Sequence, residues 1–297
     1  MEKSDPINQT SFKEGAYPFY RDFILETIFN AAQRRAYTEA SDAYDHCFLL
    51  AKQNNAEAAA VAYQQCCALR EKLDPAVAEW VTALCEPRLS YYNYKTKDYA
   101  TAILATKKLI GANQLLQKKG YQLMYLSEIQ QLHNLSRIYF SLNETEKGVG
   151  LSLDCLLGIY EHAAHWKPGM MMNGISEAYL ITDLQYAVIV QVMTETFIRL
   201  LRTFKTDTVL LDYWLRKFTE PLSALKFARL SSDYRYKHID ALVSFLQETI
   251  VNKDEPDYTN LLFVEKSKVD RLLSGVLYEY ITFSITENEK ALLVANA

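Results

Sequence analysis

Apolar side chains return every three or four residues along most of this chain, which is the spacing of one face of an α-helix. Phe19, Phe23, Ile24, Ile28 and Ala31 form the first stripe and predict a helix over about 18–35. Ala40, Tyr44, Cys47, Phe48 and Ala51 form the second, in a helix starting at Tyr37. That stripe continues in phase through Ala58, Ala62, Cys66, Leu69 and Leu73, yet Asn54-Asn55 can end one helix and cap another. A break there is preferred; one long helix over 37–73 is the alternative. Asp74-Pro75 supplies a cap and a first-turn proline, so a helix is expected from there to about Tyr94, bent at Pro87.

Further helices are expected over about 98–117, 121–142 and 144–164, then a break at Lys167-Pro168-Gly169. A long helix over 175–204 carries Tyr179, Tyr186, Ile189, Met193, Phe197, Leu200 and Phe204 on one side. A shorter helix runs from Asp207 to Phe218, another starts at Pro221, and amphipathic helices cover 233–252 and 258–285. The β-branched run at 186–190 sits inside a longer helical pattern, so length decides for helix.

Punctuation supports the same class. Nine glycines and seven prolines stand where average usage in 297 residues gives about 36 of the two together. Sheets joined by tight turns need more of both. The expectation is an all-α protein: a single array over 16–286 with a possible sub-boundary near 165–174, a loosely attached segment 1–15 and a frayed 287–297.

Two segments recur. Leu89-Ser90-Tyr91-Tyr92 is followed by Lys97-Asp98-Tyr99 and Ala102-Ile103; Leu135-Ser136 and Tyr139 are followed by Asn143-Glu144-Thr145 and Gly148-Val149. Each reads as a helix, a tight polar turn, and a helix opening with a small residue that permits close packing. Tyr37, Ala40, Tyr44 and Cys47 make a weaker third copy. The pattern resembles tetratricopeptide repeats, clearest over residues 20–165. Tyr99 and Thr145 lie 46 residues apart and Tyr37 and Tyr99 lie 62 apart, against about 34 in the standard repeat. The resemblance implies a right-handed α-α superhelix of antiparallel hairpins whose concave groove binds a protein or peptide. It points Tyr91, Tyr94, His133, Arg137 and Phe140 toward that groove. The competing reading packs Tyr91 and Tyr94 between helices and leaves Arg137 solvated.

Charge and chemistry narrow the function. A net charge of −4 argues against nucleic acid. The most apolar stretch, 184–194, is bounded by Asp183 and Glu195, so no membrane span is expected. Residues 1–15 lack the apolar core of a secretory leader. The five cysteines (47, 66, 67, 85 and 155) then read as reduced thiols of a cytoplasmic protein. His162 and His165 stand one turn apart beside Glu161 but lack a third ligand, and no metal is expected. Gly148-Val149-Gly150 lacks a third glycine, and Cys66-Cys67 has no histidine nearby. The loop carrying Trp166, Met170, Met171 and Met172 reads either as a plug or as a partner-binding loop, because Met adapts to varied surfaces. The expected function is a non-enzymatic scaffold without a cofactor. The alternatives are a signalling sensor binding a small peptide or ligand, and an all-α enzyme with carboxylates assembled from distant helices.

Overall fold

The computed structural model describes residues 16–121, 124–165, 171–172, 175–230, 234–245 and 247. The protein is all-α: the described residues form eleven α-helices, a 3-10 turn and one pair of two-residue strands. Contacts gather the chain into two compact units, Met1–Asn143 with Pro168–Leu184, and Glu144–Lys167 with Gln185–Ala297. The terminal segments 1–15 and 287–297, and the helix expected over 258–285, lie outside the described residues.

The first unit runs through α1 (Ala16–Ile28), α2 (Ala31–Lys52), α3 (Ala56–Arg70), α4 (Pro75–Leu84), α5 (Pro87–Lys95), α6 (Tyr99–Lys118) and α7 (Met124–Ser141). Its core gathers Tyr37, Tyr44, Cys47, Cys66, Trp80, Val81, Cys85, Leu89 and Leu116. The helix expected over 18–35 is broken at Asn30. That side chain accepts from the Gln33 amide at 3.0 Å, while Gln33 Oε1 accepts from the Asn30 amide at 3.2 Å. This reciprocal cap outweighs the apolar stripe that runs through it. Tyr37 is therefore inside α2 rather than at its start. The break at Asn54-Asn55 is present, with Asn55 capping α3 through the Ala58 amide. Pro87 does more than bend its helix: it opens a new one. Asp98 accepts from the Thr101 amide at 3.1 Å; the Thr101 side chain first, and then that amide, hold its carboxyl below the ordinary carboxylate value.

Three turns share one geometry. Asn54, Lys97 and Asn143 have φ of 58°, 64° and 61°. That left-handed conformation ends a helix, and at Asn54 and Lys97 it reverses the chain. Bonds from the Asn55 amide to the Leu50 carbonyl (3.1 Å) and from the Asp98 amide to the Asn93 carbonyl (2.9 Å) close the first two turns. The turns lie 43 and 46 residues apart (54 to 97, 97 to 143). Seven residues before each stands a small donor: Cys47, Ser90 or Ser136. Five residues after stands a small residue: Ala59, Ala102 or Gly148, all buried. The Cys47 thiol lies 3.7 Å from the Ala59 carbonyl, and the Ser90 hydroxyl donates to the Ala102 carbonyl at 3.3 Å. In this frame Ala56, not Tyr37, matches Tyr99, and the 62-residue irregularity disappears. Ala102 and Gly148 keep the correspondence expected from sequence.

The second unit contains α8 (Thr145–His165), most of α9 (Glu177–Phe204), α10 (Thr208–Ser223), a 3-10 turn at Phe227–Arg229 and α11 (Tyr234–Phe245). Ser152 on α8 and Thr196 on α9 share a 2.8 Å hydrogen bond, and Tyr236 on α11 donates to Gln185 on α9 at 2.6 Å. Pro221 starts no helix. It sits inside α10 because the buried stripe Leu211, Leu215, Phe218 and Leu222 continues past it. Packing there outweighs one missing backbone donor. The apolar stretch of α9 also does not stop at Glu195. Leu184–Phe204 is long and apolar enough to cross a membrane, at a mean hydropathy of 1.2, and 61% of its apolar window is buried within the protein, as in the core helix of a helical bundle.

Candidate functional site

The first helices of the hairpins in the first unit share a cavity of about 470 Å³. From α2 come Asp45, Phe48 and Lys52; from α5 come Arg88, Tyr91 and Tyr94; from α7 come Gln130, Gln131, Asn134, Arg137 and Ile138. The spacing within each helix is that of a single face. The three sets are equivalent. Counted back nine residues from the turns at 54, 97 and 143 stand Asp45, Arg88 and Asn134; counted back six stand Phe48, Tyr91 and Arg137. The local reason is the turn itself: fixing the end of each helix in one conformation fixes which side chains face which way.

One wall is aromatic. Phe48 meets Tyr91 edge to face at 4.9 Å between centroids, Tyr91 lies 6.3 Å from Tyr94, and Tyr94 lies 5.9 Å from Tyr99. Burial first, and then the neighbouring Tyr94, raises the Tyr91 phenol above its ordinary value, with Arg137 acting the other way. Tyr91 is therefore a neutral donor at physiological pH. Tyr94 is held at its tip, its hydroxyl 3.0 Å from that of Ser141, which donates to the Arg137 carbonyl at 3.0 Å.

The opposite wall is polar. Asn134 donates to Gln131 at 3.2 Å, and Arg137 donates to Asn134 at 2.9 Å. Arg88 grips Asp45 with two nitrogens, at 2.6 and 3.2 Å, and spends its third on the Leu84 carbonyl. Fork geometry of this kind holds both partners in place. Lys52 places its ammonium 4.3 Å above the Phe48 ring. Three cations thus line the cavity against one carboxylate, and that carboxylate is taken by Arg88.

Tyr91, Tyr94 and Arg137 are brought together in this lining. His133 and Phe140 are not: they are 2% and 8% exposed and line no part of the cavity. Seven residues apart, they share another face of α7, and that face is buried. Asp45, Phe48, Lys52, Arg88 and Asn134 were missed by sequence reasoning. The signal that finds them is the turn frame, since Asn54 is the left-handed residue of the first hairpin and places Phe48 opposite Tyr91. Trp166 and Met170 lie outside the described residues. Met171 and Met172 form a strand paired antiparallel with Ile175 and Ser176.

Cys47, Cys66, Cys85 and Cys155 are buried and Cys67 is half-buried, all as free thiols. Burial raises the Cys67, Cys85 and Cys155 thiols above their ordinary value, which opposes nucleophilic use. Among the described residues, no three His, Cys, Asp or Glu side chains converge as a metal site does. Comparison with models of known protein families, with curated proteins and with solved structures finds no match to this chain.

Proposed function

We propose that the first unit is a peptide-binding module of the tetratricopeptide type, its hairpins stacked in a right-handed α-α superhelix, and that its groove holds a segment of a cytoplasmic protein partner. One observation carries this reading. Two equivalent positions in each of three helices, α2, α5 and α7, converge on a single cavity. A groove made by repetition offers regularly spaced contacts, which suits an extended chain better than a compact substrate.

The chemistry supports the same class. Phe48, Tyr91 and Tyr94 supply contact area at small entropic cost, and Arg137 supplies donors in a rigid fork. The excess of positive charge favours a segment with acidic side chains or a free carboxylate. Free thiols throughout suit a reducing compartment. The reading is of a scaffold that binds, without a cofactor, rather than of an enzyme.

Selection from a random peptide library with the full chain tests it. Enriched peptides should bind the Arg137→Ala variant more weakly by about 1–3 kcal/mol, as for an interface anchor. The variant's stability should fall by no more than about 1.5 kcal/mol, because Arg137 is half-buried and donates to Asn134. A library that yields no binders, or binders indifferent to both Arg137→Ala and Tyr91→Ala, would sink the proposal.

A further inference from the structure

A second cavity, of about 510 Å³, lies in the first unit and shares no lining residue with the groove. Most of its wall comes from α3 and α6, the second helices of the first two hairpins. Its lining includes Tyr44, a fully buried residue of α2. The Tyr44 hydroxyl has no hydrogen-bond partner among the described residues. Such a group is costly to leave unmatched in a core. Burial, and then the nearby Glu86 carboxylate, pushes its phenol far above the ordinary value, so it is a neutral O–H donor.

The charges around it are unevenly spent. Glu86 accepts from Arg70 Nε at 2.5 Å, from the Thr82 hydroxyl at 3.0 Å and from Lys108 Nζ at 3.4 Å. Its side chain is 11% exposed, while those of Arg70 and Lys108 are 41% and 52% exposed. Arg70 thus commits one nitrogen of three, and Lys108 only a long contact. Glu71 lines the same cavity, which makes two cations and two carboxylates. Leu104, Ala105 and Leu109 of α6 supply an aliphatic wall.

A balanced lining disfavours a plain anion or a plain cation, since each would meet like charge without compensation. A molecule carrying both charges meets a partner at either end. We propose that this cavity binds a small zwitterion with an aliphatic body, of the size of a dipeptide, whose carboxylate accepts from Tyr44, Arg70 and Lys108 and whose ammonium faces Glu71. The volume falls in the range of roughly 300–1,000 Å³ common to small-ligand sites. The site is separate from the groove and does not depend on the peptide reading.

Calorimetric titration of the full chain with L-leucyl-L-leucine tests the proposal, beside thermal melts. The dipeptide should bind and raise Tm. Its N-acetylated and C-amidated analogues, each lacking one charge, should bind more weakly by about tenfold or more, the effect of losing a hydrogen bond to a charged group. Tyr44→Phe removes only an unmatched hydroxyl, so that variant should fold with an unchanged or higher Tm and bind the dipeptide about tenfold more weakly. Lys108→Ala, at an exposed position, should weaken binding without lowering Tm. No binding at millimolar dipeptide, wild-type affinity in Tyr44→Phe, or equal binding of the blocked analogues would each overturn the proposal.

Discussion

The hairpins at 31–118 and the helices at 185–245 are both amphipathic, but different devices hold them. In the first region a left-handed residue, a capping side chain and a small residue five positions on recur in step: Asn54, Asn55 and Ala59; Lys97, Asp98 and Ala102. In the second, among the described residues, no non-glycine residue beyond Asn143 has a positive φ. Long-range pairs with α8 do the fastening instead, such as the buried Thr196 with Ser152 at 2.8 Å and Phe227 against Tyr160 at 5.1 Å. A repeated turn fixes the orientation of side chains as well as the path of the chain. That is why the first region presents equivalent positions to one cavity.

Breaking each device separately should give effects of different size. Phe197 on α9 is fully buried. Phe197→Ala should cost about 3–5 kcal/mol in urea denaturation, the cost of emptying a large core site. A loss under about 1 kcal/mol would mean that α9 repacks freely. Next in size is overpacking of the hairpin crossings. Ala59→Leu and Ala102→Leu should each cost about 1–3 kcal/mol. The two losses should be alike, because the positions are equivalent in the frame. A large loss at one and none at the other would break the equivalence. The smallest effect should come from the turn. Lys97 holds φ of 64° without glycine's freedom. Lys97→Gly relieves a left-handed strain of about 1–2 kcal/mol but adds unfolded-state entropy, for a net gain of about 0.5 kcal/mol. A Tm that falls would show that the lysine side chain contributes contacts which outweigh the strain.

Much of this was legible in the sequence for reasons that are local. Scarce glycine and proline, with apolar stripes of helical period, gave the all-α class. Asn54-Asn55, Asp74-Pro75, Asp98 and Asp207 mark helix starts because each supplies an acceptor to an unpaired amide. Asn30 was missed because its cap depends on Gln33 reaching back, a geometry the stripe conceals. Pro221 was misread because long-range packing overrode a local rule. The lining of the first cavity was half visible. Tyr91, Tyr94 and Arg137 follow from their hairpins, but α7 buries residues on several sides, among them Ile129, Gln131, His133, Leu135 and Ile138. Its sequence therefore does not declare which face is open. The first hairpin's contribution was hidden by a frame that set Tyr37 against Tyr99, where Asn54 against Lys97 reveals it.

The spacing of the left-handed turns bears on how this region tolerates changes in chain length. The intervals of 43 and 46 residues hold different helices, three in the first (α3, α4 and α5) and two in the second (α6 and α7), so what is kept is the count back from each turn rather than the interval. One residue more or fewer between a turn and the groove face rotates that face by about 100°. Phe48, Tyr91 or Arg137 would then swing away from the cavity while helix and hairpin persisted. The distance from turn to cavity face is thus fixed to the residue, and a single-residue insertion there removes the cavity lining before it removes the fold.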